Sequence, residues 1–175
     1  MVKAKKAIFF DRDGTLIKTK ISNDNKPIAI KELNECIIFP SVKKILNKLK
    51  KNFLIFVITN QPDVANKKNL KLNVIKVNNY LKKVLPIKKF FVCYCNNNKC
   101  NFRKPNIGMI LKAKKKYNLD LANSYVIGDR WKDIDSGNKA GCITIFLEKK
   151  YNERLKTKPN YTINYFYKLK KIFKI

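Results

Sequence analysis

Short apolar runs that alternate with helical patterns restrict the fold of this chain more than any other feature. Ile8-Phe9-Phe10, Phe53–Ile58, Phe90–Tyr94, Ser124–Ile127 and Ile143–Leu147 are each of strand length and largely free of polar alternation. Runs of this kind predict strands buried on both faces, as in a parallel sheet. Between them the periodicity changes. Val42, Ile45, Leu46 and Leu49 recur at i, i+3, i+4 and i+7 behind Ser41, a suitable N-cap. Further helices are predicted at about 69–85 (Val74, Val77, Leu81, Val84), from Pro105-Asn106 to near Asn118, and at 132–139, where Gly141 stops the chain. Strands alternating with helices imply right-handed crossovers and an α/β, Rossmann-like three-layer sandwich with a central parallel sheet of about five strands. Residues 17–39 read as a long irregular loop. Residues 148–175 read as a basic C-terminal extension with one more short strand (161–163) and a terminal helix. At 175 residues, the chain is expected to form one domain.

The polar residues that close these strands carry the chemistry. The first strand runs into Asp11-Arg12-Asp13-Gly14-Thr15, the second into Thr59-Asn60-Gln61, and the fourth into Gly128-Asp129-Arg130. Ligands of open α/β sheets bind at the carboxyl ends of the strands. In extended chain Asp11 and Asp13 share one face; if the chain turns at Arg12, one of them offers its backbone carbonyl instead. Either arrangement suits a hard cation such as Mg²⁺. Arg103-Lys104-Pro105 precedes a helix, and cations beside a helix N-terminus suit a phosphate. Taken singly, each stretch also fits an acidic turn, a strand exit or a solvated basic turn. Their convergence on one edge is what points to a site.

Composition narrows the chemistry. The chain has no His, which removes Ser-His-Asp and Cys-His mechanisms and leaves acid–base work to Asp, Glu, Lys or Cys. The net charge of +28 comes almost wholly from Lys spread over every segment, alongside many Asn and Ile. This reads as compositional bias, so no dedicated nucleic-acid partner is expected, although the field favours small anions. No apolar run reaches the roughly 18 residues needed to cross a bilayer. The expectation is a cytoplasmic monomer with no membrane partner.

The string Asp11-Arg12-Asp13-Gly14-Thr15-Leu16 after an apolar strand resembles the signature of the haloacid dehalogenase (HAD) superfamily of phosphohydrolases. Thr59, Lys104 and Gly128-Asp129 with Asp133 are similar to its remaining motifs, over about residues 7–147. The finer pattern (T-N-Q, a cysteine loop, R-K-P, G-D-R-x-x-D-I) resembles the branch of the heptose 1,7-bisphosphate and histidinol-phosphate phosphatases, which lack a large cap domain. The resemblance implies a Mg²⁺-dependent phosphomonoesterase acting on a small phosphorylated sugar. It casts Asp11 as nucleophile, Asp13 as general acid and base, and Thr59 and Lys104 as stabilisers of the transferring phosphoryl group. It also implies Mg²⁺ at Asp11, Asp13 (through its carbonyl) and Asp129, and substrate contacts from Asn60, Gln61, Arg103 and Arg130. Asp133 would orient Lys104 or a metal-bound water. Alternatives are a histidinol-phosphate phosphatase, a polynucleotide 3′-phosphatase and a non-catalytic HAD-like binding protein.

The five cysteines stand at 36, 93, 95, 100 and 142, an odd number with three clustered, which favours reduced thiols or a metal site over a disulfide framework. The resembling branch carries zinc on a Cys-x-His…Cys-x-Cys loop. Here Cys95 stands in place of the His, and Phe102 in place of the last Cys. Cys93, Cys95 and Cys100 could hold Zn²⁺ with a water, an Asn oxygen or a distant group as fourth ligand. Alternatively the metal is lost and Cys93 is a core residue. Cys36 and Cys142 read as small buried hydrophobes.

Overall fold

A computed structural model describes residues 3–65 and 67–175. Its centre is a parallel sheet built from β1 (Ala7–Phe10), β4 (Leu54–Asn60), β5 (Lys89–Cys93), β6 (Tyr125–Gly128), β7 (Ile143–Leu147) and β8 (Tyr161–Ile163), in the order β5-β4-β1-β6-β7-β8. The sixth strand is the short one placed in the C-terminal extension. It pairs Ile145, Phe146 and Leu147 of β7 with Tyr161, Thr162 and Ile163, so the extension belongs to the sheet.

The side chains of β1 show why the apolar runs have no polar alternation. Ile8 and Phe10 enter one core, packed with α1 (Val42–Leu49), Val77 and Leu81 of α2 (Lys68–Val84), and Leu169 of α5 (Leu169–Phe173). Ala7 and Phe9 enter a second core on the opposite face, with Met109, Ile110 and Ala113 of α3 (Gly108–Tyr117). Both faces are covered, so every position of the strand is apolar. All four β1 residues have no measurable solvent exposure. Helix α4 (Trp131–Lys139) packs on β6 and β7. It ends as expected, with Gly141 at φ +73° just beyond. Among the described residues no helix is long and apolar enough to cross a membrane.

Three local expectations change. The stretch 17–39 is not wholly irregular: β2 (Lys20–Ile21) and β3 (Pro27–Ile28) form a small antiparallel hairpin beside the sheet's carboxyl edge. Ser41 stands before α1 but makes no capping bond through its side chain, because its backbone is left-handed (φ +69°). Helix α3 opens at Gly108 and not at Pro105. The Gly108 N–H donates to Asn101 O (2.9 Å), and a Cβ there would lie 2.5 Å from that oxygen.

Candidate active site

The strand order places β4, β1 and β6 side by side, so their carboxyl ends deliver Thr59, Asp11 and Asp129 to one edge. At that edge β1 ends at Phe10 and the chain folds back. The N–H groups of Leu16 and Ile17 both donate to Arg12 O, at 3.0 and 3.1 Å, and Gly14 N–H donates to Ile17 O. The turn needs glycine at position 14. Its φ is +86°, and a Cβ would lie 2.0 Å from Asp129 Oδ2.

The turn separates the two acids of the first motif. Asp11 joins Asp129 and Asp133 in a buried group whose ligand oxygens all lie within 4.8 Å of one another. The Asp13 carboxylate is held elsewhere, by Arg12 Nε (2.9 Å), Gln61 Nε2 (2.8 Å) and the Ile30 N–H (3.3 Å). Both acids line one cavity of about 260 Å³, together with Thr59, Arg103, Lys104 and Arg130. The hairpin contributes Pro27 and Ile28 to the same wall.

Lys104 ties the buried acids together. Its Nζ donates to Asp11 Oδ1 (2.6 Å), to Asp133 Oδ1 (2.6 Å) and to the Ile58 carbonyl (2.8 Å), so all three ammonium protons are used. Asp133 serves twice, since its Oδ2 also accepts from the Arg130 N–H and caps α4. Asp129 Oδ1 accepts from Thr15 Oγ1 at 2.7 Å. Its Oδ2 is buried without a hydrogen-bond partner, and the Tyr151 hydroxyl approaches the carboxylate without satisfying that oxygen.

The electrostatics follow from burial and count. Three carboxylates face one ammonium, which leaves the cluster two charges negative when all are ionised. Burial pushes the Asp11 carboxyl up to about 6 despite the pull of Lys104. Burial, then Asp11 and Asp133, hold Asp129 well above the ordinary carboxylate range. Burial acts to lower Lys104, but Asp11 and Asp133 outweigh it and raise its pKa, so it stays charged. Excess buried negative charge and an unpartnered carboxylate oxygen are what a hard divalent cation would satisfy.

The remaining predicted residues fall in different places. The Asn60 side chain pairs with the backbone of Lys104 in both directions (3.0 Å each) and also lines the cavity, so its amide helps to fix Lys104 at the site. Gln61, expected to contact substrate, is 3% exposed and donates to Asp13 Oδ2 and Thr59 Oγ1. Arg103 and Arg130 reach the cavity. Arg12, fully buried between Asp13 and Asn78 Oδ1, was not expected to matter; its carboxylate neighbour in sequence was the available signal. Lys132 also lines the cavity, and Glu153 pairs with Arg130. Neither belongs to a motif.

The cysteine loop departs from the expected reduced thiols. Cys95 and Cys100 are joined as a disulfide, while Cys36, Cys93 and Cys142 are free. A turn in which the Cys100 N–H donates to Asn97 O folds the loop back and brings the sulfurs together. Cys93 Sγ lies 3.8 Å from Cys100 Sγ, and all three sulfurs lie within 4.8 Å of one another. Cys142 is buried, as expected, whereas Cys36 is half-buried; Cys93 is buried too.

Comparison with known proteins decides the family. A family profile described as polynucleotide kinase 3 phosphatase matches residues 6–162. The D-glycero-alpha-D-manno-heptose-1,7-bisphosphate 7-phosphatase of Campylobacter jejuni is 34% identical over 149 residues, covering 81% of each chain. The chain belongs to this family of HAD phosphatases. Among its other relatives is the histidine biosynthesis bifunctional protein of Blochmanniella floridana, 32% identical over 78% of this chain but only 39% of that protein. The D,D-heptose 1,7-bisphosphate phosphatase of B. bronchiseptica, solved with magnesium and phosphate, superposes with a TM-score of 0.65. It is 25% identical and matches over 81% of this chain and 79% of its own. This HAD phosphatase is therefore a phosphomonoester hydrolase with a six-stranded core sheet.

Proposed function

We propose that the protein is a magnesium-dependent sugar-phosphate phosphatase that removes the 7-phosphate of D-glycero-D-manno-heptose 1,7-bisphosphate, within one domain spanning the whole chain. The observation that carries the reading is the placement of Asp11. Its carboxylate sits at the carboxyl end of β1, bonded to Lys104 at 2.6 Å, inside a cluster with surplus negative charge. The Campylobacter relative bearing the heptose name is matched over 81% of its own length, whereas the histidine-biosynthesis relative, covering a similar share of this chain, is matched over 39% of its own. Histidinol phosphate is the second reading, supported by that match.

In this reading Asp11 is the nucleophile. It attacks phosphorus and forms an aspartyl-phosphate, so hydrolysis is split into two transfers. Asp13, on the same cavity wall but outside the buried cluster, gives a proton to the departing alkoxide and then takes one from the attacking water. Arg12, Gln61 and the Ile30 N–H hold its carboxylate in place for both steps. Lys104 and Thr59 stabilise charge on the equatorial oxygens. Asp133 holds Lys104 and the start of α4 together, and Arg103 and Arg130 contact the substrate. Asp11 and Asp129 would hold Mg²⁺, with the backbone carbonyl of Asp13, because the Asp13 carboxylate is engaged elsewhere. The bound cation would screen the nucleophile from the phosphate it attacks. Zinc enters only as a candidate for Cys93, Cys95 and Cys100. These three sulfurs are one ligand short of a structural set, and the disulfide must be reduced first.

The test is phosphate release from heptose 1,7-bisphosphate with Mg²⁺, comparing wild type with Asp11→Asn. Turnover by the wild type alone supports nucleophile and substrate together. Absence of turnover with this substrate, and turnover with histidinol phosphate, transfers the assignment to the second reading.

A further inference from the structure

The segment between β7 and β8 lies outside every motif, yet it is fixed at both ends against the site. At its start, the Asn152 N–H donates to Asn25 O (3.0 Å) and Asn25 Nδ2 donates to Lys150 O (2.6 Å), at the tip of the hairpin. Further on, Thr157 Oγ1 donates to Asp135 Oδ1 (2.7 Å) and Asn138 Nδ2 donates to Thr157 Oγ1 (2.9 Å), both on α4. Lys156 Nζ lies 3.9 Å from the centroid of Trp131, the chain's one tryptophan. Between these ties, Glu153 meets Arg130 with both carboxylate oxygens. Oε2 accepts from Nε at 3.0 Å and Oε1 accepts from Nη2.

We infer that Glu153 is a positioning residue that holds Arg130 over the cavity for the substrate's anionic groups. This rests on the reading of Arg130 as a substrate contact given above. Arg130 shares the cavity with Arg103 and Lys132. Lys104, the fourth cation of the lining, is held by Asp11 and Asp133; without a partner of its own, Arg130 would be repelled by its cationic neighbours and would turn to solvent. Lys132 registers the crowding: burial, then Arg130 and Arg103, lower its pKa. A bidentate carboxylate fixes the plane of a guanidinium as well as neutralising it. It occupies Nε and Nη2, and among the described residues Nη1 has no hydrogen bond. With side-chain exposures of 14% for Glu153 and 32% for Arg130, the pair is shielded enough to persist in salt. Because Glu153 touches no reacting atom, its loss should weaken binding of substrate and transition state alike, raising KM with little change in kcat.

The test uses the full chain with Mg²⁺ and the variants Glu153→Gln, Arg130→Ala and both together, with Glu153→Asp as the conservative control. For heptose 1,7-bisphosphate, Glu153→Gln is expected to raise KM about tenfold and to change kcat less than about twofold. In the Arg130→Ala background the same substitution should add nothing, since residues that act through one another do not show additive effects. Glu153→Asp should recover part of the loss. Trp131 fluorescence gives a second readout, independent of turnover, with inorganic pyrophosphate as probe. Its dissociation constant should show the same about tenfold loss and the same non-additivity. Equal pyrophosphate binding by wild type and Glu153→Gln, or additive effects in the double variant, overturns the inference. Failure of the wild type to release phosphate from heptose bisphosphate overturns only the substrate reading, because the pyrophosphate cycle still decides the role of Glu153.

Discussion

The buried acid cluster and the cysteine loop contribute adjacent residues, Lys104 and Arg103, to the same cavity, but they are built differently. Lys104 is held by partners 93, 46 and 29 positions away in sequence, just beyond β1, on β4 and on α4. Arg103 is held by Asn98 and Cys95, five and eight positions away, within its own loop. One residue is positioned by the fold, the other by a local turn. The cluster is also buried, where a removed partner leaves a charge unscreened, whereas Asn96 to Lys99 face solvent. Chemistry that tolerates little displacement belongs in the first setting, and substrate discrimination can vary in the second.

The largest expected effect comes from the cluster's centre. Asp11→Asn should lower kcat by about 10⁴-fold or more, as removal of a nucleophile does. It should not lower the melting temperature of metal-free protein, since it removes one of three crowded negative charges. Phosphate release and thermal melting check both halves. A variant that loses activity by unfolding would break the comparison. Lys104→Met removes the one cation from three buried carboxylates, and should cost about 3–5 kcal/mol of unfolding free energy in urea titrations. Asp133→Asn, which keeps Lys104 bonded to Asp11, should cost less.

These differences also explain what could be read from the sequence. The core strands were legible because burial on both faces leaves a continuous apolar signal, and β8 was faint because Tyr161 and Thr162 are exposed at the sheet's edge. Asp11 and Asp129 were legible because each directly follows a strand, and Lys104 because it stands in the recognisable string Arg103-Lys104-Pro105. Asn60 and Gln61 stood in such a string too, but the groups their amides bond, the Lys104 backbone and the Asp13 carboxylate, lie more than forty residues away in sequence. Glu153 and Lys132 are ordinary charged residues in a chain rich in charge, and only the fold brings Lys132 to the cavity and Glu153 to Arg130. The disulfide was missed because the clustering of Cys93, Cys95 and Cys100 suits a metal as well as a bridge.

A pH experiment sharpens the electrostatic side of the comparison. Burial raises the Asp11 pKa from 3.8 to about 6, so the folded, metal-free protein holds a proton that the unfolded chain has released. The contribution of this group to stability is therefore present at low pH and declines as pH rises through that window. Mg²⁺ competes with the proton, so the gain in melting temperature on adding Mg²⁺ should be larger at pH 7.5 than at pH 5. Melting curves with EDTA and with Mg²⁺ at both pH values measure this. Equal gains would mean that the cation does not bind at Asp11.

The smallest effect is expected in the cysteine loop. The Cys95–Cys100 bridge closes a sequence separation of only five residues. On chain entropy such a short loop contributes about 2 kcal/mol, near the low end for disulfides. Replacing both cysteines by Ser should therefore lower the unfolding free energy by about that amount in urea titrations. Arg103 keeps its Asn98 contact and the loop keeps the Asn106 amide bonds to Asn98 O and Cys100 O. The KM should accordingly rise no more than about threefold and kcat should stay nearly constant. Zinc analysis of the reduced wild-type protein separates the two uses of the sulfurs. A stoichiometric ion lost in the double variant would make the loop a metal-held unit, and the stability loss would then exceed the entropic figure. A fall in kcat comparable to that of Lys104→Met would show that the loop and the buried cluster form one mechanical unit.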